Sequence, residues 1–189
     1  NHYNLLMAKV HFFYSTMNAG KSTALLQSAH NYHETGNETI LFIPREDAEK
    51  NSGLIKSRIG LKASAVVIDS KIKIFEYVKS EAAKKSIDAI LIDEAQFLKK
   101  HQVLEMCKVC DQLEIPVMCY GIRTDFRGEL FEGSAALLAL ADNLIELKTV
   151  CNECSRKATM VVRLDENSNV VTEGSKVQIG GNDVYRVLC

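Results

Sequence analysis

Tryptophan is absent, proline occurs twice, and the charges nearly cancel to a net −1. Each shortage removes a class of function. A chain this close to neutral carries no electrostatic footprint for nucleic acid, and without a basic amphipathic segment there is no argument for a membrane surface. Apolar runs are far too short to span a bilayer. Residues 1–9 lack the charged region and apolar stretch of a secretory leader, so a cytoplasmic location is expected. There is no internal repeat and no low-complexity segment. Six cysteines without a leader read as reduced thiols, some of them metal ligands, and not as a disulfide framework. The 189 residues suffice for one good core plus a small appendage. The chain opens on Asn1, and Met7 is an expected natural start, with residues 1–6 upstream or foreign sequence.

What is present centres on residues 10–22. The apolar run Val10-His-Phe-Phe-Tyr14 passes through Ser15, Thr16, Met17, Asn18 and Ala19 into Gly20-Lys21-Ser22, which opens a segment of helical periodicity. This is the strand–loop–helix order of a phosphate-binding loop. Backbone N–H groups and a helix N-terminus receive the phosphates, Lys21 reaches the β- and γ-phosphates, and the Ser22 hydroxyl is a magnesium ligand. Ser15 stands where G-x-x-x-x-G-K-[ST] has its first glycine, so the loop entry must avoid positive φ there. The motif points to a nucleoside triphosphate and says nothing of what receives the phosphate.

The remaining chain alternates strand-like and helix-like segments. Helices are expected over Ser22–Thr35, Ile72–Lys85, Leu104–Leu113 and Gly133–Ala141. Strands are expected over Thr39–Ile43, Ala65–Ile68, Ile87–Ile92, Pro116–Tyr120 and Asn143–Lys148. That spacing predicts an α/β fold, a mostly parallel sheet flanked by helices, with ligands beyond the carboxyl ends of its strands. Residues 45–62 are polar and read as a long mobile loop, either beside the phosphates or merely on the surface. From Cys151 the helical periodicity ends. Ala158–Leu164 and Val177–Ile179 look like strands of a smaller β-rich unit, giving expected domains of 1–148 and 149–189.

Ala89-Ile-Leu-Ile92 leads directly into Asp93-Glu94-Ala95-Gln96, the pattern of a Walker B strand. Because successive side chains on an extended segment alternate, Asp93 is expected to face the magnesium and Glu94 an acceptor. Glu94 is the candidate general base, with Gln96 beside it. These parts fit both ATP hydrolysis and transfer to a hydroxyl. Cys151-x-x-Cys154 has the spacing of half a zinc site, and Cys189 is a third candidate; the alternative is a pair of reduced thiols in a turn. The fourth ligand is expected just beyond Cys189. Cys107-x-x-Cys110, in contrast, shares a helical face with Val103, Met106 and Leu113 and reads as core.

Five ordered motifs are similar to the thymidine kinase family, in the branch with a P-loop domain and a small zinc domain closest to the enteric-bacterial form. They are Ser15–Ser22, Asp93–Phe97, Tyr120–Phe131, Cys151-x-x-Cys154, and Ile179-Gly-Gly-x-x-x-Tyr185 followed by Cys189. The resemblance implies transfer of the ATP γ-phosphate to the 5′-hydroxyl of thymidine with Mg²⁺, Glu94 taking the proton. It implies that residues 15–22 and 93–96 hold the triphosphate. Phe126, Tyr185 and a lasso over Lys176, Val177, Gln178, Ile179 and Gly180 would enclose the nucleoside, with Met17, Phe97 and Arg163 lining the same pocket. It further implies a Zn²⁺ anchoring the lasso, a homotetramer, and feedback inhibition by dTTP. The family pattern carries Asp-x-Arg near the phosphates where this chain has Asp47-Ala48-Glu49; Arg45 or Arg58 is left to supply that charge.

Overall fold

The computed structural model describes residues 8–51, 53–176 and 184–189. In chain order the elements are β1 (Val10–Ser15), α1 (Lys21–Glu34), β2 (Thr39–Pro44), α2 (Arg45–Asn51), β3 (Leu54–Lys56), β4 (Lys62–Ser64), β5 (Val66–Ile68), α3 (Ile74–Ala82) and β6 (Ala89–Ile92). A single 3₁₀ turn at Ala95–Phe97 precedes α4 (Lys100–Leu113), β7 (Val117–Ile122), α5 (Glu132–Leu140) and β8 (Asn143–Glu146). Beyond these lie β9 (Met160–Leu164), β10 (Val170–Val171) and β11 (Tyr185–Leu188).

Six strands form one sheet in the order β5-β2-β6-β7-β1-β8, every pairing parallel. Parallel strands need crossover connections and are covered on both faces, so they read as continuous apolar runs. The strand Ala89–Ile92 is the extreme case, buried at all four positions. Alternation along β1 divides the core. Phe12 turns to the side packed by α3 and α4, while Phe13 turns to the α1 side and stacks on Tyr120 at 4.5 Å between ring centroids. The register Phe13 against Tyr120 places the loop after β1 beside the end of β7. With β6 on the other flank of β7, three strand ends converge on one edge.

Beyond shifts of a few residues at element ends, the structure differs from the sequence reading chiefly at four places. Residues 45–62 form no long loop: α2 and the β3–β4 hairpin fill most of the stretch, and Ala48 and Ile55 are buried in the α1-side core. The helix α4 begins four residues earlier than Leu104. There Gln102 Oε1 accepts the Lys99 N–H at 2.9 Å and Glu132 Oε1 accepts that of Lys100 at 3.0 Å, satisfying first-turn donors. The strand β7 runs on through Gly121-Ile122 to pair with Tyr14 and Ser15. Finally, Glu94 lies outside β6 in a left-handed conformation, φ 49°, so a turn and not strand alternation separates its side chain from that of Asp93.

The chain after β8 builds a separate antiparallel sheet, β10-β9-β11, over a small cluster of Cys151, Ala158, Val161, Tyr185 and Val187. The expected strand at 177–179 lies outside the described residues. Among the described residues, no helix is long and apolar enough to cross a membrane.

Candidate active site

The loop after β1 turns through left-handed backbone at Asn18 (φ 64°) and Gly20 (φ 73°), while Ser15 keeps the extended conformation of β1. Serine at that position is therefore unstrained, as the missing glycine required. Lys21 is 7% exposed, and its Nζ donates to Ser15 Oγ at 3.0 Å and to the Thr16 carbonyl at 2.8 Å. Burial holds the Lys21 ammonium below the ordinary lysine range, and the charges of Glu94 and Asp93 oppose that effect.

Asp93 follows β6 at 3% exposure. Its carboxylate accepts hydrogen bonds from the Ser22 side chain and from the Glu94 N–H, the latter at 3.0 Å. Burial and the neighbouring Glu94 push the Asp93 carboxyl up to about 7. Two oxygen donors in contact, in a place where negative charge is costly, suit a hard divalent cation. Ser22 and Asp93 thus fit Mg²⁺.

The turn after Asp93 is held from three directions. Gln96, 2% exposed, donates from Nε2 to Glu94 Oε2 at 2.5 Å while its Oε1 accepts the Ile122 N–H at 3.1 Å. Its amide therefore ties the Glu94 carboxylate to β7. Gly121 of that strand lies so close that an added Cβ would sit 2.9 Å from Gln96 Oε1. At the start of α5, a Cβ on Gly133 would meet the Ala95 carbonyl oxygen at 2.4 Å and that of Leu98 at 2.8 Å. Neither contact leaves room for a side chain.

One cavity of about 870 Å³ joins these parts, toward the large end of the range for small-molecule sites. Asn18–Ser22, Asp93, Glu94 and Gln96 line it, together with Met17 and the aromatic side chains Phe97, Phe126, Phe131 and Tyr185. Lys176 also lines it, with Nζ donating to the Leu130 carbonyl at 3.1 Å. Ser15, Thr16 and Ala95 stand behind the lining, and so does Arg163. Val177, Gln178, Ile179 and Gly180 lie outside the described residues.

Sequence reasoning missed the hairpin: Lys56, Ser57, Arg58 and Ile59 border the cavity from its turn. The outward signal is slight: two three-residue strands, Leu54–Lys56 and Lys62–Ser64, joined by a turn containing Gly60. Of the two arginines left open, Arg45 is paired with Asp69 at 2.8 Å on the surface, whereas Arg58 faces the cavity and its charge reaches Lys21. Asp125 was also missed. Its Oδ1 accepts the N–H groups of Arg127 and Glu129 at 2.8 and 3.0 Å, shaping the loop that presents Phe126.

At the far end of the small unit, one sulfur each from Cys151, Cys154 and Cys189 lie within 4.8 Å of one another, with Cys154 and Cys189 3.9 Å apart. Tetrahedral zinc with Zn–S of about 2.3 Å places its sulfurs about 3.8 Å apart. The Glu153 N–H, donating to Cys151 Sγ at 3.4 Å, helps draw that thiol down to about 7. The donor set fits zinc. By contrast, burial pushes the Cys110 thiol up to about 12 and places it in the core, as its helical spacing foretold.

A family model described as thymidine kinase matches residues 8–189. A thymidine kinase of Zymomonas mobilis is 51% identical over 183 residues, covering 97% of this chain and 94% of its own length. Thymidine kinases of Salmonella typhimurium and Escherichia coli O157:H7 are each 50% identical over 183 residues, 97% of this chain and 89% of theirs. With the phosphate loop, the acidic turn and the sulfur cluster all inside the matched span, the chain belongs to the thymidine kinase family.

Proposed function

We propose that this chain phosphorylates thymidine at its 5′-hydroxyl with ATP, using Glu94 as general base. The observation that carries the reading is that Glu94 lines the same cavity as Lys21 and Ser22 and as the aromatic side chains Phe97, Phe126, Phe131 and Tyr185. The N–H groups of residues 18–22 and the Lys21 ammonium bind the β- and γ-phosphates. Ser22 and Asp93 would hold Mg²⁺, which supplies charge neutralisation at the phosphates. Glu94 takes the proton of the 5′-hydroxyl as its oxygen bonds to the γ-phosphorus; the bond from that phosphorus to the β,γ-bridging oxygen breaks, and ADP leaves with the electron pair. Gln96 keeps the Glu94 carboxylate aimed from β7, so the base is positioned before substrate arrives. Arg58 brings the positive charge that the residues at 47–49 lack.

Met17, Phe97, Phe126, Phe131 and Tyr185 receive the nucleoside, whose flat base suits aromatic walls. Zinc on Cys151, Cys154 and Cys189 would tie the start of the small unit to the strand that carries Tyr185. By family resemblance the reading extends to a homotetramer inhibited by dTTP, which sedimentation and an inhibition titration check.

The test is product formation from ATP and each of the four deoxynucleosides, with ADP followed in parallel. The reading requires thymidine monophosphate in step with ADP. ADP release at the same rate with no acceptor present refutes it in favour of a hydrolase.

A further inference from the structure

Arg163 was expected to line the nucleoside pocket, yet it stands one layer behind it. It sits on β9 at 5% exposure, a buried cation that, among the described residues, meets two carbonyl oxygens and an aromatic face but no carboxylate. Its Nη1 donates to the Ser175 carbonyl at 2.9 Å and its Nη2 to that of Glu173 at 2.6 Å. The guanidinium carbon lies 3.9 Å from the centroid of the Phe126 ring. Phe126 lines the cavity and Arg163 is not among the lining residues, so the guanidinium packs on a ring that itself borders the cavity. The intervening Gly174 (φ 113°) closes the arrangement: a Cβ there would come within 2.6 Å of Arg163 Nη2.

Burying an arginine is costly unless its donors are used, and two fixed carbonyls plus a ring face use the planar fork in a way lysine would not match. The three partners come from different parts of the chain. Phe126 belongs to the loop after β7, Arg163 to the small sheet, and residues 173–175 lead to Lys176, which reaches back to Leu130 at the cavity mouth.

We propose that Arg163 is a positioning residue for the acceptor nucleoside. It fixes the Phe126 ring as part of the cavity wall and fastens segment 173–176 to that wall. The proposal rests on the nucleoside meeting the aromatic side chains, as read above. Arg163 touches no reacting atom; it sets how well the base is gripped, not how fast phosphate moves.

The test is a double-mutant cycle on Arg163→Lys and Phe126→Leu, reading KM for thymidine, KM for ATP and kcat. A desolvated cation–ring contact together with its carbonyl bonds predicts that Arg163→Lys raises the thymidine KM about tenfold, with the ATP KM and kcat within about twofold. Phe126→Leu alone raises the same KM, and the double variant rises little further than the worse single one. Gly174→Ala, which leaves Arg163 and Phe126 intact but occupies the guanidinium's space, gives the same selective rise and serves where the lysine variant fails to fold. An unchanged thymidine KM in both Arg163→Lys and Gly174→Ala, beside a raised one in Phe126→Leu, overturns the role of Arg163 alone. Equal rises in both substrates' KM, or effects that multiply in the double variant, also overturn it in favour of general structural support. A Phe126→Leu variant with normal thymidine KM overturns the placement of the nucleoside itself.

Discussion

Replacing Asp93 by Asn, with no magnesium or nucleotide present, is expected to stabilise the protein above neutral pH. Burial first, and Glu94 second, raise the Asp93 carboxyl from an ordinary 3.8 to about 7. A carboxyl whose pKa is higher folded than unfolded takes up a proton on folding. The cost is thus absent below the unfolded value, grows as pH rises from about 4, and is fully present above about 7. A displacement of this size is equivalent to about 4 kcal/mol. Local relaxation and proton sharing with Glu94 reduce this to about 2 kcal/mol as a working figure. Asparagine keeps an acceptor for the Ser22 hydroxyl and the Glu94 N–H while removing the charge. For a chain of this length that is about 4–8 °C in Tm at pH 8, shrinking to about 1–2 °C at pH 4.5. Thermal melts of the two proteins across that pH range make the measurement. A variant that melts at or below the parent at pH 8, or gains equally at both ends, refutes the reasoning. The same variant is expected to lose phosphoryl transfer, because Asp93 is a proposed magnesium ligand.

Three further outcomes follow from the same geometry. Gly133→Ala drives a Cβ into the Ala95 and Leu98 carbonyls; overpacking of about 1–3 kcal/mol and at least a tenfold fall in kcat are expected, and parent-like Tm and kcat contradict it. Arg58→Ala raises the KM for ATP about tenfold and leaves that for thymidine near normal, whereas an unmoved ATP KM removes Arg58 from the phosphate end. Stripping zinc with a chelator raises the thymidine KM in proportion to metal lost, with ATP binding retained; a zinc-free protein with full thymidine affinity excludes the anchoring role.

How far these features could be read beforehand depends on what kind of signal each leaves. Strands such as Ala89–Ile92 were legible because a strand buried on both faces must be apolar throughout. Gly20-Lys21-Ser22 and Asp93-Glu94 stood out because each follows an apolar strand at a fixed spacing, and the structure brings both to one cavity. The hairpin at 54–64 was hidden because its strands are only three residues each and its buried contribution is slight, Ile55 alone being fully enclosed. Gly121 and Gly133 left no pattern, since a glycine required by a neighbour's close approach looks like any other until the neighbour is known. Arg163 illustrates the same limit. Motif matching grouped it with Phe126, but whether it lines the cavity or stands behind that ring depends on where Phe126 lies.

The central claim is that a phosphate-binding loop and a proton-accepting carboxylate serve one crevice. Single-turnover transfer from ATP to thymidine by the Glu94→Gln variant tests it most directly. Loss of the base predicts a fall of about 10²–10⁴ in the transfer rate with ATP affinity nearly intact. Transfer at the parent rate would contradict the account.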